Sequence, residues 1–130
     1  MVPKPEHKPY VFEVHIAQQI VKVKLGSATV YQCQCIAGDK YNPTKKGWHV
    51  VYPKHRYHTS SQYGSKMDFA MFFYKGQALH QYHGLGWHLL YYAKKGTDLI
   101  GSHGCVRLQK ADAEKLFGWA VEHKTVVHVL

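Results

Sequence analysis

The chain has 130 residues, 45% of them hydrophobic and 14% aromatic, with 17 Lys and Arg against 8 Asp and Glu and a formal net charge of +9. That length supports one domain with its own core, and that composition excludes a disordered chain. No apolar run approaches the roughly 18–20 residues that span a bilayer, so no transmembrane segment is expected. The positive surplus favours polyanionic partners such as nucleic acid, anionic lipid or anionic wall polymers. The basic residues are spread rather than blocked, and neither a phosphate-binding glycine loop nor an RNA-binding aromatic signature is present. Nucleic acid is therefore not an expected partner.

Residues 1–9 contain Pro3, Pro5 and Pro9 and no hydrophobic signal core, which suits an extended lead-in to a single domain over 10–130. An export route is not visible in them. Tyr10–Ile16 and Ile20–Leu25 are expected strands; in the second, Val21, Val23 and Leu25 alternate with Lys22 and Lys24, the period of a half-buried strand. After a Gly26-Ser27 turn, Ala28–Ala37 alternates Tyr31, Cys33 and Cys35 with Gln32 and Gln34. Cys33 and Cys35 share one strand face and are expected as small apolar core residues rather than as a disulfide or metal pair. Gly38 to Pro43 is a loop, Gly47–Tyr52 a short strand, and residues 54–66 a polar surface excursion. Met67–Tyr74 and Gln77–Tyr82 form a hairpin across Lys75-Gly76.

From Gly84 to Gly101 the chain holds Trp87, Leu89, Leu90, Tyr91 and Tyr92 and predicts a short helix or a lid-like insertion. Lys110–Lys124 predicts the main helix, with Ala113, Leu116, Phe117, Ala120 and Val121 on one face. Thr125–Val129 is a closing strand. The expected fold is mostly β, a curved sheet or β-sandwich with one main helix near the C-terminus.

The stretch Ser102-His103-Gly104-Cys105-Val106-Arg107-Leu108 carries the chemistry. A thiolate is a far better nucleophile than a thiol, so a catalytic cysteine needs a base or a positive environment. Glycine at 104 permits a tight turn that brings backbone N–H groups toward a reacting carbonyl. Histidines upstream at 80, 83 and 88 are candidates for the proton acceptor. His80 and His83 are three positions apart, so a regular strand sends them to opposite faces and only one can meet Cys105. A zinc site is the rival use of these histidines, but His80-x-x-His83 and Cys33-x-Cys35 do not match common ligand spacings, and no metal is expected.

This string resembles the signature of the L,D-transpeptidase catalytic domain, the YkuD-like family. Phe73-Tyr74-Lys75-Gly76-Gln77-Ala78-Leu79-His80 is similar to the strand that delivers that family's histidine. Pro43-Thr44-Lys45-Lys46-Gly47-Trp48-His49-Val50 is similar, more loosely, to its Thr-Pro-x-Gly-x-aromatic segment. The resemblance implies a cysteine acyltransferase acting on peptidoglycan stem peptides through a thioester on Cys105. An amine, a D-amino acid or water resolves the thioester, the last giving L,D-carboxypeptidase activity. It implies His80 as the base, with His83 the runner-up because a glycine follows it, and His103 as a supporting catalytic residue. Ser102, Gly104, Arg107 and His83 are the implied substrate-side residues. Stem peptides and D-amino acids are the implied partners, no metal or organic cofactor is implied, and the implied location is the cell envelope, periplasmic or extracellular. A secreted antibacterial toxin module using the same chemistry, or a non-catalytic module binding cell wall or polyanion, are the alternatives. The gap from His80 to Ser102 exceeds the family's usual gap, which implies an insertion over residues 84–101.

Overall fold

The computed structural model describes residues 8–60, 64, 66–95, 102 and 104–130. Strands β1 (Tyr10–His15), β2 (Ile20–Leu25) and β3 (Ala28–Gln34) form a meander. β4 (Gly47–Val50) and the closing β9 (Val126–Val129) complete a five-stranded sheet in the order β3-β2-β1-β9-β4. β1 and β9 run parallel, with Phe12 opposite Val127. A second sheet joins β5 (Lys54–His55), β6 (Ala70–Tyr74), β7 (Gln77–Gln81) and β8 (Val106–Leu108) in that order. Two helices accompany these sheets among the described residues: α1 (Trp87–Lys95) and α2 (Lys110–Trp119).

The alternation read from the sequence becomes the wall of one core. Phe12, Val14, Val21, Val23 and Val127 from the first sheet, with Cys35 just after β3, meet Met71, Leu79, Val106 and Leu108 from the second, and all are fully buried. Leu116 and Ala113 of α2 close the core, packing beside it. Burying side chains of this size contributes about 1.5–3 kcal/mol each. Cys33 and Cys35 lie in this core as free thiols, and burial raises both, Cys35 to about 12. They are packing residues, as their alternation predicts.

Four departures from the sequence reading matter. β3 stops at Gln34, and the chain then crosses to the second sheet, where Ile36 bridges Arg107 and Gly38 bridges Ser102. The polar stretch after Pro53 contributes the short edge strand β5, paired with β6. The residues after Cys105 form β8, a strand not evident in three residues of sequence. The main helix ends at Trp119 rather than Lys124. There the Thr125 hydroxyl accepts the Val121 N–H at 2.8 Å, the Val121 carbonyl accepts the N–H of Thr125, and His123 adopts φ 66°. A tight turn thus takes the place of the helix's next turn, and Val121 is only half-buried.

Candidate active site

β7 and β8 run parallel, with Leu79 opposite Val106 and His80 opposite Arg107. Directly opposed residues project to the same face, and successive residues to opposite faces. Leu79, Val106 and Leu108 therefore face the core, and Ala78, His80 and Arg107 face away from it. Cys105, one residue before β8, continues the register opposite Ala78 and packs on Ala78, Ala70, Met67 and Phe72. β6 extends the same rows, since Phe72 opposes Ala78 and β5 sets His55 opposite Ala70. Cys105 and His80 are diagonal neighbours on one face, which strand geometry places at about 8 Å between Cα atoms. Ala70 and Ala78 are the small residues of this face, with Met67 and Phe72 beside them.

His80 is 7% exposed. Its Nδ1 lies 2.8 Å from the Gln81 carbonyl oxygen. A carbonyl only accepts, so Nδ1 carries the proton and Nε2 is the unprotonated acceptor. Burial pushes the imidazolium down to about 4; the Gln81 carbonyl opposes this, while Arg107, His83 and His58 act with burial. Cys105 is half-buried, and burial raises its thiol, against the pull of the Ala78 backbone and the Arg107 guanidinium. Desolvation thus favours the uncharged form of both groups. Cys105 Sγ lies 3.7 Å from the Gly76 carbonyl oxygen.

His83 is placed elsewhere. Its Nε2 lies 3.4 Å from Asp68, on the outer side of the hairpin, and Asp68 also faces Arg56 at 4.0 Å. His88 is exposed on α1. Arg107 stands in the His80 row with its guanidinium 5.7 Å from the Tyr82 ring. His103 lies outside the described residues. Among the described residues no cluster of three or more His, Cys, Asp or Glu is placed to hold a metal ion.

Ser102 is buried and works as a clasp for the turn. Its hydroxyl donates to the Cys105 carbonyl oxygen and accepts the Gly104 N–H at 3.2 Å. Of the two backbone donors the sequence offers to an oxyanion, Gly104's is therefore engaged within the turn. Gly104 has φ +111°, and a Cβ there would meet the Gln77 side chain at 2.6 Å, so only glycine fits. Sequence reasoning passed over the loop that braces this turn from the other side. Thr44 and Gln77 tie residues 43–45 to it: Thr44 Oγ1 donates to the Gly104 carbonyl at 2.8 Å, and the Gln77 amide spans the Pro43 carbonyl and the Lys45 N–H. The Thr-Lys-Lys-Gly segment matched loosely in the sequence was the available signal. Thr44, Lys45, Lys46, Tyr74 and Gln77 also line a cavity of about 440 Å³ beside the turn.

The expected excursion over residues 84–101 is helical over Trp87–Lys95. Trp87 and Tyr91 pack on Ile36, which stands opposite Arg107 and so on the same face as Cys105. Trp87 Nε1 donates to Gln34, and Lys94 Nζ donates to the Gly38 carbonyl. α1 forms a wall on the Arg107 flank, with Leu89 and Tyr92 turned to solvent. Residues 96–101, which lead back to the nucleophile turn, lie outside the described residues.

A two-sheet domain that sets a cysteine and a histidine on one face of a parallel strand pair defines the class of fold, and comparison assigns its family. The family model described as the L,D-transpeptidase catalytic domain matches residues 9–129, so the chain belongs to that family. An L,D-transpeptidase from Stackebrandtia nassauensis superposes with a TM-score of 0.81 at 22% identity, over 98% of this chain and 58% of that one. One from Mycobacterium tuberculosis H37Rv gives 0.71 at 24% identity, over 94% and 57%. The L,D-transpeptidase LdtMt1, solved in complex with imipenem, gives 0.76 at 17% identity, over 94% and 59%. This chain thus spans less than two thirds of those solved chains. No curated protein sequence matches it.

Proposed function

We propose that the domain is a cysteine acyltransferase acting on peptidoglycan stem peptides, with Cys105 as nucleophile and His80 as its proton acceptor. The observation that carries this reading is the placement of both residues on one face of β7 and β8, with His80 Nδ1 anchored to a carbonyl and Nε2 left to accept. The Cys105 thiol gives its proton to Nε2 as sulfur attacks the carbonyl of the third stem residue. Because desolvation favours the uncharged form of both partners, proton transfer accompanies attack rather than preceding it. The tetrahedral oxyanion collapses, the terminal D-amino acid leaves carrying the proton from His80, and a thioester remains. The amine of a second stem, or a free D-amino acid, then attacks the thioester and gives its proton back to His80 Nε2; water doing the same makes the reaction an L,D-carboxypeptidase step.

Arg107, fixed in the His80 row, is suited to a substrate carboxylate, and the lysines of the adjoining cavity extend that positive field. A carbapenem such as imipenem presents an acyl carbonyl made more reactive by ring strain and is expected to acylate Cys105. Such a substrate fits a location in the cell envelope. No helix among the described residues is long and apolar enough to cross a membrane.

The test is incubation of the protein with purified muropeptides, with and without added D-amino acid, followed by mass spectrometry. Release of the terminal residue and its exchange for the added D-amino acid are expected, and Cys105→Ala should abolish both while leaving the circular dichroism spectrum unchanged. Turnover retained in that variant sinks the assignment.

A further inference from the structure

Thr44 is a threonine at the start of a loop rich in lysine, yet it is 3% exposed. Its hydroxyl accepts the Gly38 N–H at 2.9 Å and donates to the Gly104 carbonyl oxygen at 2.8 Å. One hydroxyl thus joins three separate stretches of chain: the crossover from β3, the loop before β4 and the turn before β8. The packing is tight enough that a Cβ on Gly38 would stand 2.1 Å from the Asn42 carbonyl oxygen and 3.0 Å from Gly104 Cα.

The consequence concerns the next atom along the chain. A peptide unit is planar, and in its trans form the carbonyl and the following N–H point in opposite directions. Holding the Gly104 carbonyl on Thr44 therefore aims the Cys105 N–H away from Thr44. The Ser102 hydroxyl, accepting from Gly104 and donating to the Cys105 carbonyl, braces the peptide units on either side. Gly104's own N–H is spent in that clasp, so the Cys105 N–H is the turn's donor for charge developing next to its sulfur.

We propose that Thr44 is a positioning residue for acyl transfer: its hydroxyl locks the Gly104–Cys105 peptide plane and thereby orients the Cys105 N–H as an oxyanion donor. This rests on the reading of Cys105 as the nucleophile. Thr44 touches no reacting atom. Its effect is selective, because an oriented N–H assists only reactions that place negative charge on a carbonyl oxygen.

Two thiol reactions separate that role from general support of the loop. With p-nitrophenyl acetate, the Cys105 sulfur bonds to the carbonyl carbon, the thiol proton passes to His80, and p-nitrophenolate leaves from an oxyanion intermediate. With iodoacetamide, sulfur bonds to the methylene carbon and iodide leaves, with no charge on a carbonyl oxygen. Thr44→Val keeps the shape of the side chain and removes the hydroxyl. Acylation in that variant should slow roughly tenfold to a hundredfold, with alkylation within about twofold of the parent protein. Thr44→Ser should restore acylation. Thr44→Ala serves as the second variant should valine fail to fold, with the same expected split.

Equal losses in both reactions, or unchanged acylation in a folded variant, overturn the positioning role. Peptide mapping that finds the acetyl and carbamidomethyl groups somewhere other than Cys105 in the parent protein overturns the nucleophile assignment instead, and the positioning role with it. The two failures are therefore told apart.

Discussion

On one face of the β5–β6–β7–β8 sheet stand Met71, Phe73, Leu79, Val106 and Leu108; on the other stand Ala70, Ala78, His80, Cys105 and Arg107. The two sets alternate along the same strands, yet one is bulky and apolar and the other is small or ionisable. The core face holds the backbone in one register through close packing. The outer face inherits that register and spends it on placing a thiol, an imidazole and a guanidinium in neighbouring rows. A site built on paired strands is held more firmly than one built on loops alone. Of these residues Cys105 sits at a loop boundary, and there Ser102 and Thr44 supply the missing bracing.

That contrast predicts opposite outcomes for adjacent residues. The largest effect is on the outer face. His80→Gln should cut turnover per folded molecule by roughly 10²–10⁴-fold, the range of a lost general base, with little loss of folding stability at pH 7. If stability falls and turnover survives, the two faces have been assigned the wrong way round.

On the core face, Leu79→Ala should do the reverse. It removes a fully buried side chain and should cost about 2–5 kcal/mol in urea unfolding. The alkylation rate of Cys105 in the molecules that remain folded should change little. A Leu79→Ala protein of parental stability would mean that this face is not what sets the register.

The pH dependence sharpens the comparison at His80 alone. Burial holds its folded value near 4, below the roughly 6.5 of a free imidazole. Folding therefore favours the neutral ring: the contribution is fully present above about pH 6.5 and is lost as pH falls toward 4. The loss amounts to about 3 kcal/mol at most, taken from a shift of about 2.5 units at 1.36 kcal/mol each. Unfolding curves at pH 7 and 4.5 should show this loss in the parent and a smaller one in His80→Gln. The acid limb of kcat/KM should likewise lie well below pH 6.5. An acid limb at the ordinary imidazole value would remove His80 from the role of base.

The smallest effect lies at the sheet's edge. Lys54 Nζ donates to the Phe117 and Ala120 carbonyls at 2.8 and 2.7 Å, satisfying the C-terminal end of α2 from a strand far away in sequence. Lys54→Met keeps most of the stem's packing and removes the ammonium. A loss of about 1–2 kcal/mol is expected, read as a lower thermal midpoint with unchanged Cys105 reactivity. No change in the midpoint would show that water serves those carbonyls equally well.

Much of the first sheet was legible in the sequence. β1 and most of β2 alternate in burial, and alternation over several residues is a strong local signal. β8 was not legible. Val106-Arg107-Leu108 is too short to show a period, and its strand state comes from pairing with β7 on one side and Ile36 on the other. The overlong helix has the same origin. Val121 continues the apolar helical spacing, and the Thr125 hydroxyl and N–H, meeting Val121 across a turn, bring the chain round into β9.

Taken alone, the sequence determined that this is a mostly β fold, that Cys33 and Cys35 alternate with glutamines as packing residues, and which family the Ser-His-Gly-Cys string resembles. These follow from composition, alternation and a contiguous motif, all of which are local. The histidine that shares a face with Cys105 was decided by the tertiary structure, since His80 lies on β7 opposite Arg107 while His83 falls past the end of that strand, against Asp68. So were the preference of Cys105 and His80 for their uncharged forms, which burial imposes, and the bracing of the nucleophile turn by Thr44, 60 residues distant in sequence. Register, burial and contacts across the chain depend on elements that no short window contains.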